Sequence, residues 1–392
     1  MFFQSMLEYS GASLPAYPNF WMSGSPSTNH YAKSIDGNTW TSASFPAVGP
    51  WAVYGKRGCF LAYNGSVLKS SPDFAVWSTQ AMPGTGTWTG LRYNSSVFLM
   101  RVSGTSNRVA TSPTGLIWTE GTFPSSDAWA TPIWNGTYWL ASCGGTTNKM
   151  ATSTDGLTWA AITLPSSTTW GTPTWNGSQW VIFGSGTTNS AAYSADGAIW
   201  TGATLPSSTN WATPIWTGGA WVSLAGIASL TPMMVCYSTD GIIWYQTTLS
   251  WTGQTALYNI GAKLICATKI SGHPYFELTS VSDDNGATWT TPTATLPASS
   301  PTAVYMAVVN NILMYINTSI LVTSVDGINW IVHTTPATSS QVLTPVYING
   351  IYFIVGTPSS NKMANSTDLD TWHEYTIPTT DNWFPVQLVR AT

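Results

Sequence analysis

The chain has 392 residues, a formal net charge of −4 and only 7% charged residues, where soluble domains usually carry about 25%. Its twelve lysines and arginines form no run, which argues against nucleic acid and against polybasic membrane attachment, since both depend on clustered positive charge. No stretch approaches the roughly 18 apolar residues of a spanning helix, so membrane insertion is not expected.

Residues 1–16 read as an N-terminal extension. Met1 to Pro15 lacks a cationic start and already contains Glu8, so it does not read as a secretion signal. The repeat begins after it. Nine segments share one pattern of serine, acidic residue, glycine and tryptophan: Ser34–Trp40, Ser71–Trp77, Ser112–Trp118, Ser153–Trp159, Ser194–Trp200, Ser238–Trp244, Ser282–Trp289, Ser324–Trp330 and Ser366–Trp372. Their tryptophans lie 37 to 45 residues apart. That is the period of a four-stranded propeller blade. The expected fold is all-β, a single β-propeller over residues 17–392 with nine blades. The alternative is eight, with one divergent repeat used otherwise.

In chain order, the first repeat enters at Asn19-Phe20-Trp21-Met22 in the register of a second strand, without a first strand of its own. Cys59, Cys143, Cys236 and Cys266 fall in apolar stretches of different repeats with no CxxC spacing, and read as buried free thiols. The cleanest copy spans Trp170–Pro206. Trp170 to Trp175 is a first strand, Asn176-Gly177 a type I′ hairpin signal, and Gln179 to Phe183 a second strand. A Gly184–Asn189 loop leads to a third strand, Ser190–Tyr193. After the acidic turn Ile199–Thr204 is the fourth, and Leu205-Pro206-Ser207-Ser208 connects onward. The first-strand prolines, Pro132, Pro173, Pro214 and Pro345, suit an innermost strand with one unpaired edge. All 23 tryptophans fall at fixed repeat positions, as packing between neighbouring twisted sheets requires. At the end, Ile377–Trp383 repeats Leu205–Trp211. Residues 383–390 are therefore expected to supply the missing innermost strand beside residues 17–46, which closes the ring and hides its edges.

The segment Ser282-Asp283-Asp284-Asn285-Gly286-Ala287-Thr288-Trp289 matches S-x-D-x-G-x-x-W. It resembles the Asp-box propellers of sialidases, sortilin-type ectodomains and some bacteriophage tail proteins, and the resemblance covers essentially the whole chain. The other copies are one residue shorter, which implies a tighter hairpin. One has Thr114 in place of Asp, while Phe74 and Leu369 replace the glycine. Asp36, Asp73, Asp155, Asp196, Asp240, Asp284, Asp326 and Asp368 are expected to stabilise the turns by accepting backbone N–H bonds. A calcium loop would need several converging oxygens per site, and most copies offer one carboxylate. No metal and no cofactor are expected.

A sialidase-like activity, which the resemblance also brings up, would need an arginine cluster, a tyrosine–glutamate pair and an acid/base. The eight acidic residues outside the turns are scattered, with Glu120 and Glu277 the candidates to test, and the Arg-Ile-Pro signature of those enzymes is absent. Arg57, Arg92, Arg101 and Arg108 are confined to the second and third repeats. His30, His273, His333 and His373 lie far apart and read as surface or loop residues. The expectation is no enzymatic activity.

Loops joining fourth to first and second to third strands share one face, rich in hydroxyls, amides and tryptophans. Sugars suit such a surface. Trp129, Trp170, Trp211, Asn189 and Asn210 are the candidate binding residues; alternatively the tryptophans are buried under the loops and serve packing. The Asn-Gly-Ser/Thr segments at Asn64, Asn135 and Asn176 match glycosylation sequons, but hairpin chemistry accounts for them. The expected function is a virion protein, a bacteriophage tail-associated receptor-binding propeller released by lysis. Its partners would be a host-surface polysaccharide or protein receptor and other tail proteins. The alternatives are a structural tail or capsid decoration protein and a diverged glycosidase.

Overall fold

A computed structural model describes residues 20–23, 28–45, 52–56, 59–63, 67–72, 75–225, 233–249, 254–261, 263–269, 276–291, 305–316, 320–334, 341–342, 345–357, 360–381 and 387–388. The expected extension over residues 1–16, Asp73, Arg57 and Trp383 lie outside them. The described residues form nine antiparallel sheets and no helix. Eight have four or more strands. The seventh (Gln254–Ile260, Lys263–Lys269, Phe276–Ser282) has three, and a single bridge from Val281 to Thr290 begins a fourth before the described residues end. The chain is thus a β-propeller.

The first sheet takes strands from both ends of the sequence. Thr41–Ser44, His30–Ser34 and Phe20–Ser23 are followed inward by Gln387–Leu388. Phe20 pairs with Leu388 and Trp21 with Gln387, so the closing strand forms as the repeat register implied. The last sheet packs on the first through Phe353, Val355, Met363 and Ile377 against Ala32 and Trp40. The Asn365 amide also donates to the Gly37 carbonyl at 3.1 Å across this junction.

Among the described residues the seams between sheets are apolar and most carry buried aromatic side chains, because twisted sheets can only bury their faces against the next blade. Trp139, Trp180 and Trp221 hold one position in successive second strands and are fully buried. A buried indole N–H needs an acceptor, and the preceding blade supplies it: the Tyr138 hydroxyl for Trp180 at 2.7 Å, the Gln179 side-chain amide oxygen Oε1 for Trp221 at 3.3 Å. For Trp139 the equivalent residue is Val97, and its Nε1 has no partner.

The acidic turns share one bonding scheme. Asp155 Oδ1 accepts the N–H groups of Leu157 and Thr158, each at 2.8 Å, and the Ser153 hydroxyl at 2.9 Å. Ser153 Oγ accepts Gly156 N–H, and Trp159 Nε1 donates to the Gly156 carbonyl at 3.1 Å. The aspartate and serine bonds recur at Asp36, Asp196, Asp240, Asp326 and Asp368; the indole bond recurs at Trp40, Trp200, Trp244 and Trp372, but Trp330 Nε1 has no partner. In the longer copy Thr288 N–H reaches Asp284 at 2.8 Å, and Asn285 takes the extra positive φ of 60°. Leu369 stands at φ 70° where other copies have glycine, held there by its buried side chain. Where Thr114 replaces Asp, one 3.2 Å bond from Leu116 N–H remains.

Two local expectations change. The Asn135-Gly136 and Asn176-Gly177 hairpins are not type I′ turns, since both asparagines have ordinary φ and only the glycines are positive. Four residues separate the paired strands, and Asn176 Oδ1 accepts Ser178 and Gln179 N–H at 2.9 and 2.7 Å. The asparagine thus does what the aspartate does in the acidic turn. The first strand is also shorter than expected: Trp170 makes one bridge to Gly184, and regular pairing resumes only at Thr174–Trp175. Pro173 lies between, where it has no N–H to give.

The turn hydrogen bonds set an acid limit. Desolvation opposes them at Asp326, yet the N–H groups of Asn329 and Ile328 hold its carboxyl at about 2, from an ordinary 3.8. Thr371 and Asp370 N–H bring Asp368 to about 2. A depressed carboxylate pKa contributes stability that is complete above the unfolded value, near 4, and lost as pH falls through the folded value. The melting temperature should therefore be flat above about pH 4 and fall steeply toward about pH 2, and Asp326→Asn should flatten part of that slope. An acid profile unchanged by the substitution would contradict the assignment. Separately, Val97→Gln should give Trp139 its acceptor and raise unfolding free energy by about 1 kcal/mol in a denaturant titration; a loss of stability would count against it.

Candidate functional site

The face opposite the acidic turns is built by outer hairpins longer than the sequence suggests. Strand Thr187–Ser194 pairs with Thr201–Asn210, so residues 187–189 and 205–210, read as loop and connector, are strand. The register slips between Thr188 and Ser190, which lets Leu205–Ser208 bulge opposite Asn189. The same slip recurs at Asn107, Asn148 and Asn361. Threonine's branched side chain favours this extended backbone, and the bulge absorbs the proline that could not join the ladder.

Trp129, Trp170 and Trp211 are not available to a ligand. They are 3%, 5% and 4% exposed and belong to the seams between sheets. Each Nε1 donates to a carbonyl of the bulge four residues earlier: Ser125, Ser166 and Ser207, at 2.9 to 3.1 Å. Trp129 also stacks on Phe123 with centroids 5.0 Å apart. These tryptophans shape the face from beneath. The binding role expected for them is overturned in favour of packing.

Asn189 and Asn210 are exposed on one hairpin. Asn210 pairs with Thr187 in the ladder, and its Oδ1 accepts Gly186 N–H at 3.2 Å. Around them stand hydroxyls fixed by strand pairing, such as Thr146 and Thr169, whose oxygens are 3.3 Å apart. The charges are matched locally. Lys149 bonds Asp127 at 2.7 Å and lowers that carboxyl, while Arg108 bonds Glu120 at 2.5 Å and lowers it likewise. Both acids are therefore ionised at neutral pH, a poor state for proton donation. Glu277 lies in a strand of the seventh sheet and Glu120 in the third. No group of three or more His, Cys, Asp or Glu side chains converges among the described residues. The four cysteines are buried and form no disulfide with one another.

His333, read from the sequence as a surface or loop residue, is 6% exposed. Its Nε2 lies 2.8 Å from the Thr323 hydroxyl and its Nδ1 2.7 Å from Asp370 in the next blade's acidic turn. The register carried this signal: Ile162, also three residues after the turn tryptophan, points inward as well. His333→Leu should cost about 1–3 kcal/mol by stranding the Thr323 hydroxyl. Thr323→Val added to it should recover part of the loss in the same unfolding measurement, and an additive double variant would refute the coupling.

No protein family and no curated protein matches the sequence. Among solved structures the chain is similar to a eukaryotic initiation factor, with TM-score 0.59 and 8% identity over 95% of this chain and 98% of that one. It is also similar to dihydro-heme d1 dehydrogenase NirN in complex with DHE, with TM-score 0.51 and 9% identity over 81% and 75%. At such identities the likeness shows the fold alone.

Proposed function

We propose that this propeller is a non-enzymatic binding module, a bacteriophage tail-associated adhesion protein whose outer-hairpin face contacts polysaccharide on the host surface. The observation that carries the reading is that face itself. Its exposed hydroxyls and amides are held by paired strands, so little side-chain order is lost on binding, and its neighbouring charges are internally matched. Neutral hydroxylated polymers suit such a surface. The acidic turns support the setting, because they resemble those of Asp-box propellers, phage tail proteins among them. In that setting the protein would be assembled in the host cytoplasm and released by lysis.

One feature favours a second reading, a structural decoration protein of tail or capsid. The acidic-turn face is edged with exposed aliphatics, including Ile117, Ile199, Ile243 and Val325, and scattered apolar tips of this kind suit attachment to a larger body. Adsorption to host cells and to purified surface polysaccharide separates the readings. Binding should weaken by about tenfold in Asn189→Ala/Asn210→Ala, roughly the loss of one or two hydrogen bonds. Absence of adsorption would leave the structural reading, and release of reducing sugar would overturn the non-enzymatic one.

A further inference from the structure

Along Phe98–Val102, the second strand of the third sheet, side chains alternate between two seams. Phe98 and Met100 lie in the seam with the second sheet, Leu99 in the seam with the fourth. Arg101 follows Leu99 in the alternation and takes the fourth-sheet side. Counted from the residue that pairs with the turn serine, the same position holds Phe183, Leu224, Ile316 and Val355 in other sheets. All four are buried apolar side chains. Tyr63 is polar at that position, but it spends its hydroxyl on the Trp88 carbonyl of the next sheet at 2.7 Å. A guanidinium is out of place there, because burying a charge without a counter-ion is costly.

Arg101 has no counter-ion among the described residues. It is half-buried. Its Nη1 donates to the Val102 carbonyl at 3.2 Å, its Nε is buried without a partner, and its Nη2, also without a partner, reaches solvent. Burial lowers its pKa, and the group nearest to opposing that is the Tyr63 phenol, itself pushed up by burial and so neutral. Arg108, the other arginine toward this end of the third sheet, is taken by Glu120. One positive charge is left over where the seam opens onto the outer-hairpin face. Hydroxyls flank it. Thr89 pairs with Arg101 in the ladder, and a Cβ on the adjacent Gly90 would come within 2.4 Å of the Thr131 hydroxyl oxygen of the fourth sheet.

We propose that Arg101 binds one singly charged oxyanion, a uronate carboxylate or a phosphodiester, carried by an otherwise neutral polysaccharide. The proposal rests on the polysaccharide-binding reading and names the charge class of the polymer. An anionic oxygen accepts from Nη2, the end of the guanidinium that solvent reaches. Nε stays sealed in the seam, and the Val102 carbonyl holds Nη1, so the group is oriented before the ligand arrives. A charge-assisted bond of this kind is about twice as strong as one between neutral groups. Selectivity follows from the count of charges, since a surplus of one matches a monoanion and a neutral sugar leaves it unmet. Residues that break a local packing rule collect at functional sites. Arg101 breaks one, giving up the apolar contact that Phe183 and Leu224 make in their seams.

The test uses the full chain labelled with ¹⁵N-arginine and three ligands: methyl glucuronide, glucose 1-(methyl phosphate) and methyl glucoside. At least one of the two acidic ligands should shift a single arginine Nε–H signal, the one missing in Arg101→Leu. The uronide and phosphodiester arms identify which oxyanion is taken. Affinity for that ligand should fall by about tenfold in Arg101→Leu and weaken with added salt. Arg101→Leu, which copies Leu224, should melt at a higher temperature than the wild type, so its lost binding is not unfolding. No shift with either acid, equal affinity for the glucoside, unchanged affinity in Arg101→Leu, or a lowered melting temperature of that variant would overturn the proposal. Polysaccharide adsorption by wild type and Arg101→Leu, measured in parallel, separates the two failures. Polymer bound equally by both, with no arginine shift, sinks the Arg101 site and spares the wider reading. An arginine shift without polymer adsorption does the reverse.

Discussion

A buried indole must still place its N–H, and this requirement organises the whole ring. The seams exclude water, so each tryptophan there needs an oxygen within reach. Trp180 and Trp221 take theirs from the preceding blade, Trp129, Trp170 and Trp211 from their own connector, and most of the described turn tryptophans from the carbonyl three residues back, a glycine's except at Leu369. A buried unmet donor costs more than a made bond returns. The positions of Tyr138, Gln179 and the bulge serines are therefore constrained as firmly as the aromatic rings themselves. Among the described residues the constraint lapses at Trp88, Trp139 and Trp330, and at Trp139 the reason is a single residue, Val97.

The other local device is equally economical in kind. A side-chain oxygen accepts two consecutive N–H groups inside a turn, and this happens at both hairpins of a blade on one face. Asp155 does it after the third strand, Asn135 after the first, and the Thr217 hydroxyl replaces the asparagine in the sixth sheet. Turns of that face are thereby tied down from within. The other face carries the outer hairpins, with their bulges and exposed amides, and the proposed ligand contact is placed there.

Much of this was legible in the sequence because the tryptophan spacing has few physical readings. The period gave the sheets, and the match between Ile377–Trp383 and Leu205–Trp211 gave the closing strand. The outer-hairpin extensions were hidden because Ser, Thr, Asn and Pro suggest loops, whereas the threonines here serve as strand residues and the proline sits in a bulge. Composition likewise made Trp129, Trp170 and Trp211 look like sugar platforms. Only coordinates reveal that the bulge carbonyls lie over them. His333 was a simpler miss, since its inward register could be counted from Trp330.

Pairing Phe20 with Leu388 also dictates an order of events. Most ladders in this protein join neighbours in the sequence, and such hairpins assemble as soon as both arms leave the ribosome. The first sheet is the exception, waiting one strand short until Gln387 and Leu388 have been synthesised. Its exposed edge persists through that interval, open to pairing with another nascent copy. Chain entropy makes the final docking slow, and this ladder between segments far apart in sequence is the natural place for the finished ring to begin to unzip.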